Sequence, residues 1–349
     1  MNILIYTQCF APKLGGIESV MTNIATQSSN MGHSVSVLAD GSKSKSSSFD
    51  SQQNFEIKRF DQIKFFRNKI KSNFANDLLK NKSFDLVFFD SWKSVEYFNN
   101  PIQNKKICLI HGNEILNLKK KERIIKSLKK VDKILFNSNF TKDLFYKQLP
   151  ELSELPSMVI FPAFIENAKF IDDEKKYDLC TIARLEYRKG HHLVLEALTK
   201  LKKEKNLVLT YAILGDGPEL SKLKDLVVKN NLLHQVDFIN NKNSSDVYKQ
   251  SKIHVMPTIT TPDSIEGFGI SNVEAASFGL PSIVSSSGGT PESIDQNGYV
   301  INENDINELS NKISLSLENY SELSKKSLIF ASNFEKNTKI KEYLNCFND

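Results

Sequence analysis

The chain has 349 residues, of which 40% are hydrophobic, 10% aromatic and 25% charged. That apolar content over two ordinary domain lengths can bury substantial cores, which excludes a disordered chain, a collagen-like repeat and a disulfide-stapled miniprotein. The 46 Lys and Arg nearly balance the 41 Asp and Glu, leaving a net +5 that is too small to mark a nucleic-acid binder.

The charge is unevenly spread. Up to residue 165 there are 24 basic and 15 acidic residues, against 22 and 26 beyond it, so the halves carry about +9 and −4. Either the first half meets something anionic, such as a membrane surface or a phosphorylated acceptor, or it is a lysine-rich solvated surface. Cys9, Cys108, Cys180 and Cys346 are far apart and form no CxxC pair, so neither a zinc ribbon nor a dithiol centre is expected and a reducing compartment fits best. The apolar runs fall short of a membrane-spanning helix, and residues 2–6 lead straight into a Gly/Pro loop, so no export signal is expected.

In chain order, residues 2–6 read as a strand, 11–16 as a loop, and Ile17, Val20, Met21, Ile24 and Ala25 as one face of a helix that Gly32 ends. Residues 34–38 alternate into another strand, completing a βαβ unit and implying a parallel sheet. Residues 41–54, rich in Ser, Lys and Gln, read as a surface loop. Ile63, Phe66, Ile70, Phe74 and Leu78 form an apolar stripe beside Lys64, Arg67, Lys71 and Lys80, a pattern that fits a helix packed on the sheet or one lying on a membrane surface. Buried strands follow at 85–89, 107–110 and 133–136. A polar stretch at 167–176 precedes a second series, with strands at 177–183, 207–214, 236–239, 254–256 and 282–285 separated by helical spacings. No sequence repeat is visible, yet both halves share the strand and helix rhythm of a doubly wound α/β domain, so two such domains facing across a cleft are expected.

In open parallel sheets ligands sit outside the carboxyl ends of the strands, so the loops there carry the chemistry. Gly15-Gly16, just before a helix, allows an anion to approach bare backbone N–H groups, although a plain glycine turn would look the same. His111 opens the HGNE loop after the 107–110 strand, where an imidazole can serve a hydroxyl or carry a proton. Arg184 and Lys189, in RLEYRKG, pair a guanidinium fork with a point charge and together can neutralise a leaving diphosphate. Gly215 and Gly217 allow tight turning after the 207–214 strand, as a ligand loop or simply as a turn. In EGFGISNVE, Gly267 and Gly269 expose backbone donors at a helix start between Glu266 and Glu274, carboxylates suited to the paired hydroxyls of a ribose or sugar.

The ordered set PKLGGIE, GHSVSVL, HGNE, FNSNFTKD, ARLEYRKG, LGDGP, IEGFGISNVEAASFGLPSIV and GGTPESI resembles the retaining glycosyltransferases of family 4, the group 1 transferases with the GT-B fold. The matching stretches run from residue 12 to about residue 294. The resemblance implies that Arg184 and Lys189 hold the donor diphosphate and that Glu274 binds the nucleotide ribose. It implies further that Glu266 and the backbone of Gly267, Phe268, Gly269 and Ile270 face the donor sugar and phosphate. Gly16, next to Gly15, would approach the phosphate, Gly215 would border the donor, and His111 would lie beside the transferred sugar. Residues 238–243 would border the nucleobase, where Asn240 stands in place of the family's usual glycine.

By this resemblance, residues 1–165 form an acceptor-side domain and 166–326 a donor-binding domain, while 327–349 cross back onto the first. The expected activity is retaining transfer of a hexose-type sugar from a nucleoside-diphosphate sugar to a saccharide or lipid-linked saccharide, in surface polysaccharide or lipopolysaccharide synthesis. No cofactor, essential metal or nucleic acid is expected, and the expected location is cytoplasmic with possible peripheral contact to an anionic membrane. A sugar-nucleotide epimerase or a noncatalytic partner on the same fold are the alternatives.

Overall fold

The computed structural model describes residues 1–99, 104–168, 174–240 and 242–348. Two compact units divide the chain, one made of Met1–Phe164 with Lys336–Asp349, the other of Ile165–Glu335. The first holds β1 (Asn2–Thr7), α1 (Gly16–Asn30), β2 (Ser34–Asp40), α2 (Lys43–Asp50), β3 (Glu56–Phe60), α3 (Lys64–Asn81), β4 (Leu86–Phe89), α4 (Trp92–Tyr97), β5 (Lys105–Ile110), α5 (Lys121–Leu128), β6 (Lys133–Phe136), α6 (Asn139–Gln148) and β7 (Ser157–Val159). The second holds β8 (Tyr177–Ile182), α7 (His191–Lys205), β9 (Tyr211–Leu214), α8 (Leu220–Lys229), β10 (Val236–Ile239), α9 (Ser244–Lys249), β11 (Ser251–Met256), α10 (Ile270–Ala276), β12 (Ser282–Ser285), β13 (Gly298–Ile301), α11 (Ile306–Glu318) and α12 (Tyr320–Ser332), after which α13 (Lys336–Leu344) returns to the first.

In the first unit the strands are parallel in the order β3-β2-β1-β4-β5-β6-β7, with Ile3 aligned to both Val35 and Leu86. The order reverses between β1 and β4, which opens a crevice at their carboxyl ends. Strands covered by helices on both faces read as continuous apolar runs, and Ile3, Leu4, Ile5, Val87, Phe88, Phe89, Ile107 and Ile110 are accordingly buried.

Residues 41–54 differ from their expectation as a loop, because Lys43–Asp50 form α2. Composition hides this helix because tertiary contacts hold it: Asp50 pairs with Arg59 at 2.6 Å, and Phe49 meets the edge of Phe10. Only part of the apolar stripe packs on the core. Ala75 and Leu79 are buried and Phe74 and Leu78 pack on the core, whereas Ile63, Phe66 and Ile70 in the first turns of α3 are exposed. Lys71 is not on a solvated edge. It is 1% exposed, its Nζ donates to Thr7 O at 2.6 Å and Asp40 Oδ1 at 2.8 Å, and it lies 4.3 Å from the centre of the Tyr6 ring.

The second sheet is parallel in the order β10-β9-β8-β11-β12-β13, with its reversal between β8 and β11. The expected strand at 207–214 is shorter, starting at Tyr211. Residues 327–335 stay with this unit instead of crossing back: α12 packs against α10, and its Ser327 and Ala331 are buried. The returning segment therefore starts at Lys336, where α13 packs on α1 and Tyr343 stacks on Phe164.

Candidate active site

The exit loops of β8 and β11 are neighbours at the reversal of the second sheet, where an open α/β sheet places a ligand. Residues 183–190, leaving β8, are pinned by backbone bonds. Leu185 N–H donates to Asp216 O at 2.9 Å, Leu185 O accepts from Glu219 N–H at 3.0 Å, and Arg188 O accepts from Ile259 N–H at 2.7 Å. Gly190 closes the loop at φ +72°, and a Cβ there would lie 2.0 Å from Pro257 O, so only glycine fits.

This scaffold lines up five charged side chains of alternating sign. Arg184 Nη1 meets Glu186 Oε1 at 2.7 Å, Glu186 Oε2 meets Arg188 Nε at 3.1 Å, and Arg188 Nη1 meets Glu266 Oε2 at 3.0 Å. The same Glu266 oxygen accepts from Lys189 Nζ at 2.5 Å. The outer Arg184 side chain is 70% exposed, while those of Arg188, Lys189 and Glu266 are 13%, 11% and 17% exposed. Burial alone would raise the Glu266 carboxyl, but Lys189 and then Arg188 outweigh it and hold it below the usual carboxylate range. Behind Lys189, burial pushes His191 and His254 down to about 3, so both imidazoles are neutral and add no competing charge.

Glu266 leaves β11 on a loop fixed from behind. Its carbonyl accepts from Gly289 N–H at 2.8 Å, and a Cβ on Gly288, at φ +58°, would lie 2.2 Å from that same oxygen. A buried hydroxyl layer continues below: Thr258 Oγ1 lies 3.2 Å from Ser285 Oγ and 3.3 Å from Thr290 Oγ1, and Asn272 Nδ2 donates to Ser293 Oγ at 2.6 Å. Gly267 to Ile270 carry the backbone from Glu266 into α10, with Gly269 in the left-handed region as its cap. One turn on, Glu274 has Tyr248 Oη at 3.5 Å; burial lifts its carboxyl to about 7, with the tyrosine hydroxyl pulling the other way.

The structure thus brings together Arg184, Lys189 and Glu266, and places Glu274 on the helix that follows. Other expected residues sit differently. The Phe268 ring is buried, 6.3 Å from Phe334, so only its backbone can serve a ligand. A Cβ on Gly215 would lie 1.9 Å from Ala183 O, so packing of two loops demands glycine there, whether or not a ligand does. Asn240 is exposed after β10, and Asn241 beside it lies outside the described residues. Sequence reasoning missed Arg188 and Glu186, although alternating charge in R-x-E-x-R was a usable signal.

In the first unit, His111 leaves β5 with its Nε2 at 3.0 Å from Asp90 O. A carbonyl only accepts, so Nε2 is the donor in this contact and Nδ1 is the ring nitrogen left for another partner. Its backbone N–H donates to Glu114 Oε1 at 2.7 Å, which explains the acid of HGNE. Gly15 and Gly16 do start α1, and Glu18 covers that first turn: a Cβ on Gly15 would lie 2.2 Å from Glu18 Oε2. Among the described residues no group of three or more His, Cys, Asp or Glu could hold a metal ion, and no helix is long and apolar enough to cross a membrane.

Two parallel-sheet domains, each with its loops gathered at a strand-order reversal, are the architecture of the GT-B fold. The family "Glycosyl transferases group 1" matches residues 162–339, half of the chain, so the chain belongs to the group 1 glycosyltransferases. It is similar to WcaL of Escherichia coli, a glycosyltransferase assigned to colanic acid biosynthesis, at 29% identity over 143 residues, which is 39% of this chain and 35% of WcaL. It is similar also to the uncharacterised glycosyltransferase MJ1178 of Methanocaldococcus jannaschii, at 25% over 279 residues, 77% of this chain and 75% of that one. Among solved structures, Anabaena HepE in complex with UDP superposes over 100% of both chains with a TM-score of 0.82 at 17% identity.

Proposed function

We propose that the protein is a retaining, family 4 glycosyltransferase that moves a hexose-type sugar from a nucleoside-diphosphate sugar to a saccharide or lipid-linked saccharide. The observation that carries this reading is the cluster at the sheet reversal in which Arg188 and Lys189 meet Glu266 and Arg184 joins through Glu186, with Glu274 on the helix that follows. When a nucleoside diphosphate departs, negative charge grows on its phosphate and positive character on the anomeric carbon. Arg184 and Lys189 stabilise the first, together with the backbone amides of 267–270. Cationic side chains then take the part a metal plays elsewhere, and no essential ion is required.

Glu274 is assigned to the ribose hydroxyls, Glu266 to the donor sugar, and the Nδ1 of His111 to a sugar hydroxyl. Retention follows a same-face route in which the leaving phosphate takes the acceptor's proton. The colanic acid role assigned to WcaL and the UDP bound to HepE support synthesis of a surface polysaccharide or lipopolysaccharide from a nucleotide sugar. The exposed Ile63, Phe66 and Ile70 beside Lys64 support contact of the first unit with an anionic membrane that carries the acceptor.

The test is a thermal-shift screen of UDP- and GDP-sugars, because a ligand that binds only the native state raises its melting temperature. The stabilising donor is then used in transfer assays with native protein and Arg184→Ala. Stabilisation by one donor and loss of transfer on substitution are expected; undiminished transfer by Arg184→Ala overturns its role.

A further inference from the structure

We propose that Arg188 is a positioning residue: it keeps Glu266 ionised in place, so that Lys189 is free to leave that carboxylate for an anionic ligand. The inference rests on the reading of residues 184–189 and 266 as a diphosphate site, and it comes from the wiring of the cluster. Arg184 is exposed and can swing. Arg188 is tied at two points, because its Nε and Nη1 lie on different carboxylates and its carbonyl is bonded to Ile259 N–H, whereas Lys189 Nζ is held by the single oxygen Glu266 Oε2.

Glu266 Oε2 is shared between Arg188 and Lys189. Three cations face two carboxylates, so the cluster carries one spare positive charge before any ligand arrives. An arriving diphosphate draws Arg184 and Lys189 outward. A largely buried carboxylate stripped of its only cation takes up a proton or pulls the cation back. With Arg188 fixed beneath it, Glu266 keeps a partner after Lys189 leaves. Lys189 and Arg188 are the cations that hold this carboxylate low against its burial.

The experiment follows the Glu266 carboxyl directly. Protein labelled with ¹³C at the glutamate carboxyl is titrated by NMR, with the Glu266 signal assigned by its loss in Glu266→Gln. Arg188→Gln should raise the acid midpoint of Glu266, Arg188→Lys should restore most of it, and Glu186→Gln should leave it in place although it also breaks two ion pairs of the loop. Arg188→Met, which keeps the apolar stem, provides the same comparison if Arg188→Gln fails to fold. An unchanged midpoint in the folded Arg188 variants, or equal shifts in the Arg188 and Glu186 variants, overturns the proposal.

In calorimetry with UDP and GDP, Arg188→Gln should weaken binding at least tenfold at pH 8, where the ionised Glu266 holds Lys189 back, and less at pH 6, where the carboxyl can take up a proton instead. If the midpoint moves but neither nucleotide binds the native protein, the diphosphate reading fails and the positioning role stands. If UDP binds and the midpoint stays, the positioning role fails alone.

Discussion

Replacing Glu274 by Gln should stabilise the second unit at neutral and alkaline pH. Burial raises this carboxyl from 4.5 to about 7. Between those values the folded protein holds a proton that the unfolded chain has released, so stability is full below pH 4.5, falls as pH rises and levels off above 7. At about 1.4 kcal/mol per unit, the loss reaches about 3 kcal/mol. Glutamine carries no charge to bury, so the variant escapes this loss while keeping the shape of the helix. The variant should match native stability within about 1 kcal/mol at pH 5 and exceed it by about 3 kcal/mol at pH 8. For a unit of this size that is a rise in melting temperature of roughly 6–12 °C.

The assay is calorimetric or fluorescence melting of both proteins from pH 4.5 to 8.5. Curves for native and Glu274→Gln that stay parallel across this range refute the buried-charge argument. The same substitution should weaken UDP binding, since the amide replaces one of the carboxylate's two accepting oxygens with an NH2 that only donates and cannot serve one of a pair of ribose hydroxyls in the same way.

Gly288→Ala places a Cβ 2.2 Å from Glu266 O at φ +58° and should cost about 3 kcal/mol. Gly32→Ala, at φ +84° with open space around it, should cost only about 1 kcal/mol; equal urea midpoints for the two would show that the Glu266 loop is not held by that contact. Lys71→Met leaves Asp40 short of a partner and should lower stability by about 3 kcal/mol in urea unfolding, whereas Lys64→Gln, on the surface, should be within about 0.5 kcal/mol of native. Ile63→Ser, Phe66→Ser and Lys64→Gln combined should abolish co-sedimentation with vesicles containing anionic lipid; retained binding would remove α3 from any membrane contact.

Much of the site was legible because its chemistry is local in the chain. Arg184 and Lys189 share one loop, and Glu266 and Glu274 flank one helix start, so residue type and spacing alone marked them. Arg188 and Glu186 were hidden in the same loop, because nothing in the linear order says which of three cations turns toward Glu266. Gly215 and Phe268 illustrate the converse. Their types stood out, but only the contacts show that one separates two loops and that the other fills a core.

The same division holds for the fold. Continuous apolar runs such as Ile3 to Ile5 and Val87 to Phe89 announce strands covered on both faces, and with them a parallel sheet. Where polarity and fold part company, only packing decides. The Ser- and Lys-rich segment 43–50 is a helix because Arg59 and Phe10 hold its end, and Lys71 is buried because Asp40, Thr7 and the Tyr6 ring surround its ammonium. The sequence by itself determined two doubly wound domains and the loops that bear chemistry, since periodicity and glycine placement act over a few residues. The ionisation of Glu266 and Glu274 was decided by tertiary structure alone, because a carboxyl's charge depends on the desolvation and the cations that distant segments bring to it.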